Sequence, residues 1–406
     1  MNFLPVILGT DVNAYGIARS VHMAYGVKSL CVGQGKLLMT NHSKILKIQV
    51  VEGLTAPENF ADALIAVADE QLKHYDKLIL FAASDGYAEL VINNQERLKD
   101  YYALPFVQQD LLQELILKEN FYDLAEEIGL DHPATVKVNG TNYQKVSCPF
   151  GFPMAVKPSN SVKYAEVDFE GKKKAYIVKD EAELKEVLAA VYSSDYQETM
   201  LIQDFIPGPD SNMRVLNAYV GKDGKVQLMC LGHPYLEDVT PILVGNYVAI
   251  KSMANMEIYQ KYQDFLEKNG YHGFANFDMK YDPRDGKFKI FEINLRPGRS
   301  SFYTTLAGCN LMQAAIEDLI FEKDVPQTVY GDKEYLWLGV PESVVTTYTE
   351  DPKLQAEAEK LINEGNYGFT LIYDEDKSLL RNQAVKKYYA GYPERYQKWF
   401  EKKGDA

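Results

Sequence analysis

The stretch from Gly273 to Ser301 constrains this chain most, because it combines two predicted strands with a tight turn and a dense run of polar groups. Apolar and polar residues alternate over 274–281 and again over 288–295. Between them lies the sequence DPRDG, at 282–286, which has the residues that turns prefer. The pattern predicts a β-hairpin.

Three oxygen-bearing side chains of this hairpin are predicted to meet on one face. Side chains alternate along a strand, so Glu292 and Asn294 share a face, and pairing across the turn brings Asp278 beside them. Such ligands suit Mg²⁺, which proteins hold with carboxylates and substrate phosphates. The alternative is a solvated strand face with ordinary charges. The adjoining Arg296 and Arg299 favour a metal–phosphate site.

Composition restricts the function classes. The 406 residues are enough for several structural units, and no apolar run approaches the length of a membrane span. The opening residues lack a basic segment and a cleavage site, so we expect a cytoplasmic protein. The net charge of −14 argues against a general nucleic-acid binder. The four cysteines have no metal-type spacing and are expected to be reduced: Cys31, Cys148, Cys230 and Cys309.

The N-terminal part predicts an α/β unit. An apolar strand over Phe3–Leu8 is followed by a glycine-containing turn and a helical segment, without the spacing of a dinucleotide fingerprint. A second apolar strand, Lys77–Ala83, ends at Ser84 and Asp85. These two residues are either substrate contacts at the carboxyl end of the strand or helix caps.

The middle of the chain places two lysines of interest. Lys118 lies in a stretch, Asp110–Gly129, whose apolar spacing predicts one helix. Lys157 lies in an apolar strand, where a lysine is costly unless it meets an anion. Beyond it, 165–169 and 174–178 are predicted to pair as two strands of a polar flap.

A further strand, Met200–Ile206, breaks into a Pro/Gly turn that is followed by Asp210. Backbone groups at such a strand end can read an adenine edge, and the carboxylate can accept from ribose hydroxyls. At the other end of the chain, 377–403 interleaves Lys and Arg with aromatic residues. This segment is either a terminal helix with buried aromatics or a surface that meets anions.

With these residues in view, the chain resembles the ATP-grasp ligases. Their last core strand carries an acidic residue, a gap and an asparagine before a basic residue, as 292–296 does here. The resemblance implies that ATP binds at Lys118, Lys157, Gln203, Asp204, Phe205, Ile206 and Asp210, and that Asp278, Glu292 and Asn294 hold Mg²⁺, for which Mn²⁺ can substitute. Gln203 stands where many members have Glu. Arg214 and Lys251 are both candidates for a further phosphate contact, with Arg214 taken first.

The resemblance also implies the fold. It is an α/β ATP-grasp architecture with a Rossmann-like pre-ATP-grasp domain at 1–112 and two subdomains that clamp the nucleotide, at 113–198 and 199–326. A small C-terminal extension occupies 327–406.

Several stretches, among them 8–16, 210–219, 230–234 and 273–301, are more narrowly similar to the D-aspartate ligases of Gram-positive bacteria. That similarity implies coupling of D-aspartate to the lysine amine of a muramyl pentapeptide precursor, which is nucleotide- or lipid-linked, so a peripheral membrane contact stays open. Because arginine grips carboxylates bidentately, the candidate substrate and catalytic residues are Arg296, Arg299, Ser300 and Ser301. Two alternatives remain: a ligase for another amino acid or a free dipeptide, and a non-catalytic nucleotide-binding protein.

Overall fold

The computed structural model describes residues 2–240, 243 and 245–402. The strands are β1 (Phe3–Leu8), β2 (Ser29–Gly33), β3 (Leu46–Val50), β4 (Lys77–Ala82), β5 (Thr135–Val138), β6 (Met154–Pro158), β7 (Tyr176–Val178), β8 (Met200–Asp204), β9 (Met213–Val220), β10 (Val226–Glu237), β11 (Tyr247–Met253), β12 (Gly273–Asp282), β13 (Lys287–Asn294), β14 (Val329–Tyr330), β15 (Leu336–Leu338) and β16 (Tyr367–Phe369). The helices are α1 (Val12–Tyr25), α2 (Pro57–Gln71), α3 (Asp85–Asn93), α4 (Gln95–Leu98), α5 (Gln109–Ile116), α6 (Lys118–Glu127), α7 (Ser161–Glu166), α8 (Glu181–Tyr192), α9 (Met256–Lys268), α10 (Phe302–Leu306), α11 (Leu311–Leu319), α12 (Glu342–Tyr348), α13 (Pro352–Asn363), α14 (Leu379–Ala390) and α15 (Tyr392–Trp399).

The chain divides into two compact units. The first contains Met1–Gln109, Met213–Asn276 and Asn294–Ala406, and the second contains Asp110–Asn212 and Phe277–Ile293. The four-part division expected from the sequence stays a prediction. No helix in the described part of the chain has the length and apolar character needed to cross a bilayer.

The first unit opens with the predicted α/β arrangement. Strands β3, β2, β1 and β4 lie side by side in that order, and all three pairings are parallel. Helix α1 starts after Asp11, whose side chain accepts a hydrogen bond from the Ala14 N–H at 3.0 Å. Ser84 accepts from the Tyr87 N–H and thereby caps α3. This capping role is the second of the two that the sequence allowed for Ser84.

A larger, mostly antiparallel sheet follows. Its strand order is β13-β12-β9-β10-β11-β15-β16, with β14 beside β10. The predicted hairpin is present as β12 and β13, and the Gly286 N–H closes its turn onto the Asp282 carbonyl at 2.9 Å. Gly286 has a φ of +74°, a conformation that favours glycine.

The C-terminal segment folds as helices, as one of the two interpretations of 377–403 expected; Lys403 lies outside the described residues. Tyr392 and Tyr396 are buried against β10 and β11, whereas Lys386 and Lys387 are exposed on α14. Tyr392 and Tyr396 therefore belong to a core, and Lys386 and Lys387 face solvent.

The second unit is built on an antiparallel sheet in the order β5-β8-β6-β7. Its core includes Val156, Leu188 and Ile202, each fully buried. The predicted strand pair over 165–169 and 174–178 is wrong. Residues 161–166 form helix α7, which Asn160 caps by accepting from the Lys163 N–H, and β7 pairs with β6 instead.

The single helix predicted over Asp110–Gly129 is also wrong. Leu117 is extended, with φ −82° and ψ 116°, so α5 ends before it and α6 starts at Lys118. The new helix start is satisfied by Ser159, whose Oγ accepts from the Glu119 N–H at 3.1 Å. Because this acceptor comes from a distant strand end, the local apolar pattern cannot reveal the break.

Candidate active site

A cluster of opposite charges in the second unit joins three of the predicted site residues. Lys118 Nζ lies 3.4 Å from Glu292 Oε2 and donates to Ser161 Oγ at 2.9 Å. Lys157, on β6, donates from Nζ to the Tyr122 hydroxyl at 3.0 Å. Tyr122 in turn donates to the Phe291 carbonyl, next to Glu292. The break at Leu117 thus puts Lys118 at a helix start, where its side chain reaches the hairpin.

The charges in this cluster shift each other's protonation. Burial alone would raise the pKa of Glu292, but Lys118, Lys157 and Lys174 outweigh it and hold that pKa below the ordinary value, so Glu292 is ionised. Burial lowers the pKa of Lys157 to about 8, with Glu292 opposing and Lys174 adding to the shift. Because burial disfavours the charged form of Lys157, an additional anion nearby would stabilise that form.

Tyr122 and Lys174 were not predicted from the sequence. Tyr122 is 2 % exposed, and its ring also lies under Lys157, with Nζ 5.4 Å from the ring centroid. A tyrosine in an amphipathic helix has the sequence signature of an ordinary core residue. Only the tertiary contact identifies it as the support of Lys157.

The predicted adenine strand is β8 and the residues after it. Gln203 is 2 % exposed and donates from Nε2 to Thr135 Oγ1 at 2.8 Å. The Asp204 carboxylate accepts two hydrogen bonds from Arg284, at 2.8 and 3.0 Å, so an ion pair engages this side chain. Phe205 lies beneath Lys280, and Ile206 is buried.

Asp210 opens a short 3₁₀ turn over Asp210–Asn212, beyond the loop 205–209 that follows β8. Its role as a ribose ligand stays a prediction.

Asn294 belongs to a chain of amides in the first unit. It donates from Nδ2 to Asn276 Oδ1 at 3.0 Å, and Asn276 donates to Asn217 Oδ1 at 3.3 Å. Asn217 Oδ1 also accepts from the Gly298 N–H at 3.2 Å. A Cβ at Gly298 would lie 2.8 Å from Asn276 Nδ2, so glycine is required for this close approach. The amide chain fixes the segment 294–298, and neither Asn217 nor Asn276 was predicted.

Of the metal ligands expected from the sequence, Asp278 lies on β12 in the second unit, Glu292 on β13 in the same unit, and Asn294 is the last residue of β13. Within the described residues, no group of three or more His, Cys, Asp and Glu side chains could hold a metal ion. The expected trio contains two carboxylates and one amide, so its role stays a prediction.

The predicted substrate residues follow β13. Arg296 donates from Nη2 to Asp85 Oδ2 at 2.7 Å and from Nη1 to the Pro297 carbonyl at 3.0 Å. This contact ties the end of the hairpin to the start of α3, and it gives Asp85 a role as an arginine partner. Arg299 is exposed, whereas Ser300 and Ser301 are 6 % and 8 % exposed at the start of α10.

The two candidates for a further phosphate contact differ in their surroundings. Lys251 is 7 % exposed and pairs with Glu334 at 3.0 Å and Glu357 at 2.7 Å. Burial lowers the pKa of Arg214 to about 10, and its Nη1 donates to the Met213 carbonyl. Lys251 thus already has two carboxylate partners, and the choice between it and Arg214 as the further phosphate contact stays a prediction.

The sequence comparison gave one extensive match. The chain is 44 % identical over 409 residues to a D-aspartate ligase of Enterococcus faecium, with 98 % of this chain and 97 % of the relative covered. No family model matches the chain.

Solved structures with a similar fold share little sequence with it. The N5-carboxyaminoimidazole synthetase of Staphylococcus aureus has a TM-score of 0.61 at 13 % identity, covering 87 % of this chain and 89 % of that one, and it has also been solved with ADP. The L-amino acid ligase of Bacillus licheniformis has a TM-score of 0.55 at 16 % identity, covering 79 % and 74 % of the two chains.

The biotin carboxylase of Campylobacter jejuni has a TM-score of 0.59 at 13 % identity, with 80 % and 72 % of the chains covered. These structures have the ATP-grasp architecture, so the predicted fold class is confirmed. Taken with the near-full-length sequence match, they show that the chain belongs to the D-aspartate ligase family, as an ATP-grasp ligase that forms an amide bond.

Proposed function

We propose that this enzyme phosphorylates the β-carboxylate of D-aspartate with ATP and couples the resulting acyl phosphate to the ε-amine of a stem-peptide lysine. The acceptor is a muramyl pentapeptide precursor, linked to a nucleotide or a lipid, and the other products are ADP and phosphate. The observation that carries the substrate assignment is the 44 % identity over nearly the whole of a D-aspartate ligase. We further propose that the reaction takes place in the cytoplasm, at or near the membrane face where such precursors are used.

The charge cluster of the second unit supports the nucleotide part of the proposal. When bound, ATP would supply the phosphoryl group and Mg²⁺ would neutralise the charge that develops during its transfer. The donor atoms fit a hard cation: Glu292 is held ionised, and Asp278 adds a second carboxylate. Because Asn294 uses Nδ2 to donate to Asn276, its Oδ1 is the atom suited to a cation.

The lysines would hold the phosphates. Lys157 is positioned by Tyr122, and Lys118 is positioned by Glu292 and Ser161. The backbone around Gln203 to Ile206 would read the adenine edge, Asp210 the ribose, and Arg214 a further phosphate oxygen.

The arginines after β13 would bind the substrate carboxylates. Asp85 fixes one end of the Arg296 guanidinium, so the arginine is oriented before substrate arrives. Arg299 offers a second guanidinium, and Ser300 and Ser301 add hydroxyl donors. Together these groups would orient D-aspartate and stabilise the charge on the transferred phosphoryl group.

Substrate profiling tests the proposal. The enzyme is incubated with Mg-ATP, a lysine-containing muramyl pentapeptide and one amino acid at a time, and ADP release is followed together with the mass of the pentapeptide. We expect D-aspartate to support the fastest release and to appear in the product as a single added residue. Faster release with L-aspartate or a neutral amino acid would favour the ligase for another amino acid, and product without pentapeptide would favour a free dipeptide.

Membership of a ligase family argues against the non-catalytic alternative. The same assay addresses it, because a nucleotide-binding protein without ligase chemistry releases no ADP in response to any amino acid.

A further inference from the structure

A small cavity in the first unit is lined by an acidic and a basic residue among its aromatic neighbours. It has a volume of about 40 Å³, and among the residues that line it are Asp238, Arg299, Trp337, Tyr388 and Tyr392. We call this the head-group cavity. At about 10–15 Å³ for each water-sized sphere, it has room for roughly three waters, which suits the polar end of a small molecule and excludes a nucleotide.

Asp238 is a buried carboxylate in this lining that the sequence did not single out. It follows the end of β10, is 3 % exposed, and accepts a hydrogen bond through Oδ1 from the Thr240 N–H at 2.8 Å. In the part of the chain that the structure describes, no ion pair joins Asp238 or Arg299 to another side chain. A buried carboxylate without a cation is costly, so a positive group entering the cavity would be stabilised there.

Contacts among the aromatic lining residues fix the shape of the cavity. The Tyr388 and Tyr392 hydroxyls are hydrogen-bonded to each other at 2.9 Å, and Trp337 donates from Nε1 to Thr370 Oγ1 at 2.8 Å. These contacts hold the aromatic rings in place. The C-terminal extension predicted from the sequence therefore contributes to a cavity that contains one of the candidate substrate residues.

We propose that the head-group cavity binds the zwitterionic end of the amino-acid substrate, with Asp238 pairing with its α-ammonium and Arg299 with its α-carboxylate. A separated negative and positive group lining one cavity is complementary to an ammonium and a carboxylate carried on one carbon. In D-aspartate this arrangement leaves the β-carboxylate as the group that is phosphorylated. The inference rests on the proposed function, in which Arg299 contacts the amino acid, and it adds Asp238 as a specificity-determining residue.

The test compares Asp238→Asn with a matched control. Asparagine keeps the oxygen that accepts from Thr240 and removes the charge. Asp223→Asn is the control, because Asp223 also accepts through Oδ1 from the N–H two residues later, Lys225, at 3.0 Å, but is exposed and outside the cavity. Binding is followed by Trp337 fluorescence in a Trp399→Phe background, which leaves Trp337 as the only tryptophan.

Each variant is titrated with D-aspartate and with succinate, which has the same carboxylates but no ammonium. We expect Asp238→Asn to weaken D-aspartate binding about 100-fold and succinate binding less than threefold, since loss of one partner of a buried charge pair is expensive. The Asp223→Asn control should match the parent for both ligands. Equal D-aspartate affinity in Asp238→Asn and the control would overturn the proposal, and so would an equal loss for both ligands in Asp238→Asn, which indicates damage to the cavity.

The same variants separate this inference from the proposed function. If D-aspartate-dependent ADP release persists in Asp238→Asn with an unchanged KM, the inference fails and the proposed function stands. If amino-acid binding depends on Asp238 but no amide forms with the pentapeptide, the inference stands and the proposed function fails.

Discussion

Lys157 should make nucleotide binding depend on pH in a range where the protonation of the nucleotide itself changes little. Burial lowers the pKa of Lys157 to about 8, so in the ligand-free enzyme the side chain is charged below that pH and neutral above it. The phosphates need the charged form. The affinity for Mg-ADP should therefore be highest below pH 8 and fall as the pH rises through it.

The size of the effect follows from the same pKa. At pH 9, one unit above it, about one molecule in ten keeps the proton on Lys157. If only that form binds tightly, the affinity should be about tenfold weaker at pH 9 than at pH 7, a loss of about 1.4 kcal/mol. Isothermal titration calorimetry with Mg-ADP between pH 7 and pH 9.5 measures this directly.

Two variants show whether Lys157 is the titrating group. Lys157→Arg carries a charge that is not lost below about pH 12, so its profile should be flat. The affinity of Lys157→Gln for Mg-ADP should also be independent of pH, but weak throughout. A wild-type affinity that stays constant to pH 9.5, or a Lys157→Gln profile that still falls near pH 8, would refute the reasoning.

Further predictions concern stability and the metal ligands. Lys157→Met should raise the urea-unfolding free energy of the ligand-free protein by about 1–2 kcal/mol at pH 7, because it removes a charge that burial disfavours, and it should abolish ATP use. Between pH 8 and pH 10.4, Lys157 is neutral in the folded wild type but still protonated in the unfolded wild type. The stability advantage of Lys157→Met should therefore shrink as the pH rises through this range. Glu292→Gln should stay folded, as circular dichroism would report, yet lose at least about 100-fold in kcat, and normal turnover would exclude Glu292 as a metal ligand. Asp282→Ala should cost about 2 kcal/mol in urea unfolding at pH 7, because it removes the hydrogen bonds that Arg284 and Lys289 donate to a buried carboxylate. The cost stays moderate, since each cation keeps a second carboxylate partner, Asp204 or Asp285. Hydrogen bonds from Arg284, foremost, and from Lys289 hold the pKa of Asp282 below its ordinary value, so the difference should begin to shrink only as the pH falls below about 4 and should be lost below the lowered pKa; a difference that is as large at about pH 2.5 as at pH 7 would contradict the ion-pair explanation.

Segments whose local pattern and tertiary environment agree could be predicted closely. The strand Phe3–Leu8 has the predicted bounds, and the hairpin differs by a residue at its ends. Every residue of the apolar strand Phe3–Leu8 is buried in the structure. The turn at 282–286 was predictable for a different reason, since Gly286 provides the positive φ that the turn needs.

The failures occur where a distant residue decides the local structure. Ser159 satisfies a helix start at Lys118 that no neighbouring residue announces. The 165–169 segment was predicted as a strand, but Asn160 caps a helix there and β6 takes β7 as its partner. Asp238 and Tyr122 were missed for a related reason, because their surroundings are assembled from segments far apart in the sequence.

The hairpin itself shows why acidic residues of similar appearance in a sequence have different roles. The Asp282 side chain is 0 % exposed, and its oxygens accept from both Arg284 and Lys289, so its charge is neutralised within the hairpin. The Glu292 side chain is 36 % exposed and faces Lys118, with Lys157 and Lys174 also lowering its pKa. Three lysines around one carboxylate leave an excess of positive charge, which a polyphosphate can neutralise and a folded chain alone does not. Asp282 therefore stabilises the hairpin, whereas Glu292 prepares a site for an anion and its metal ion.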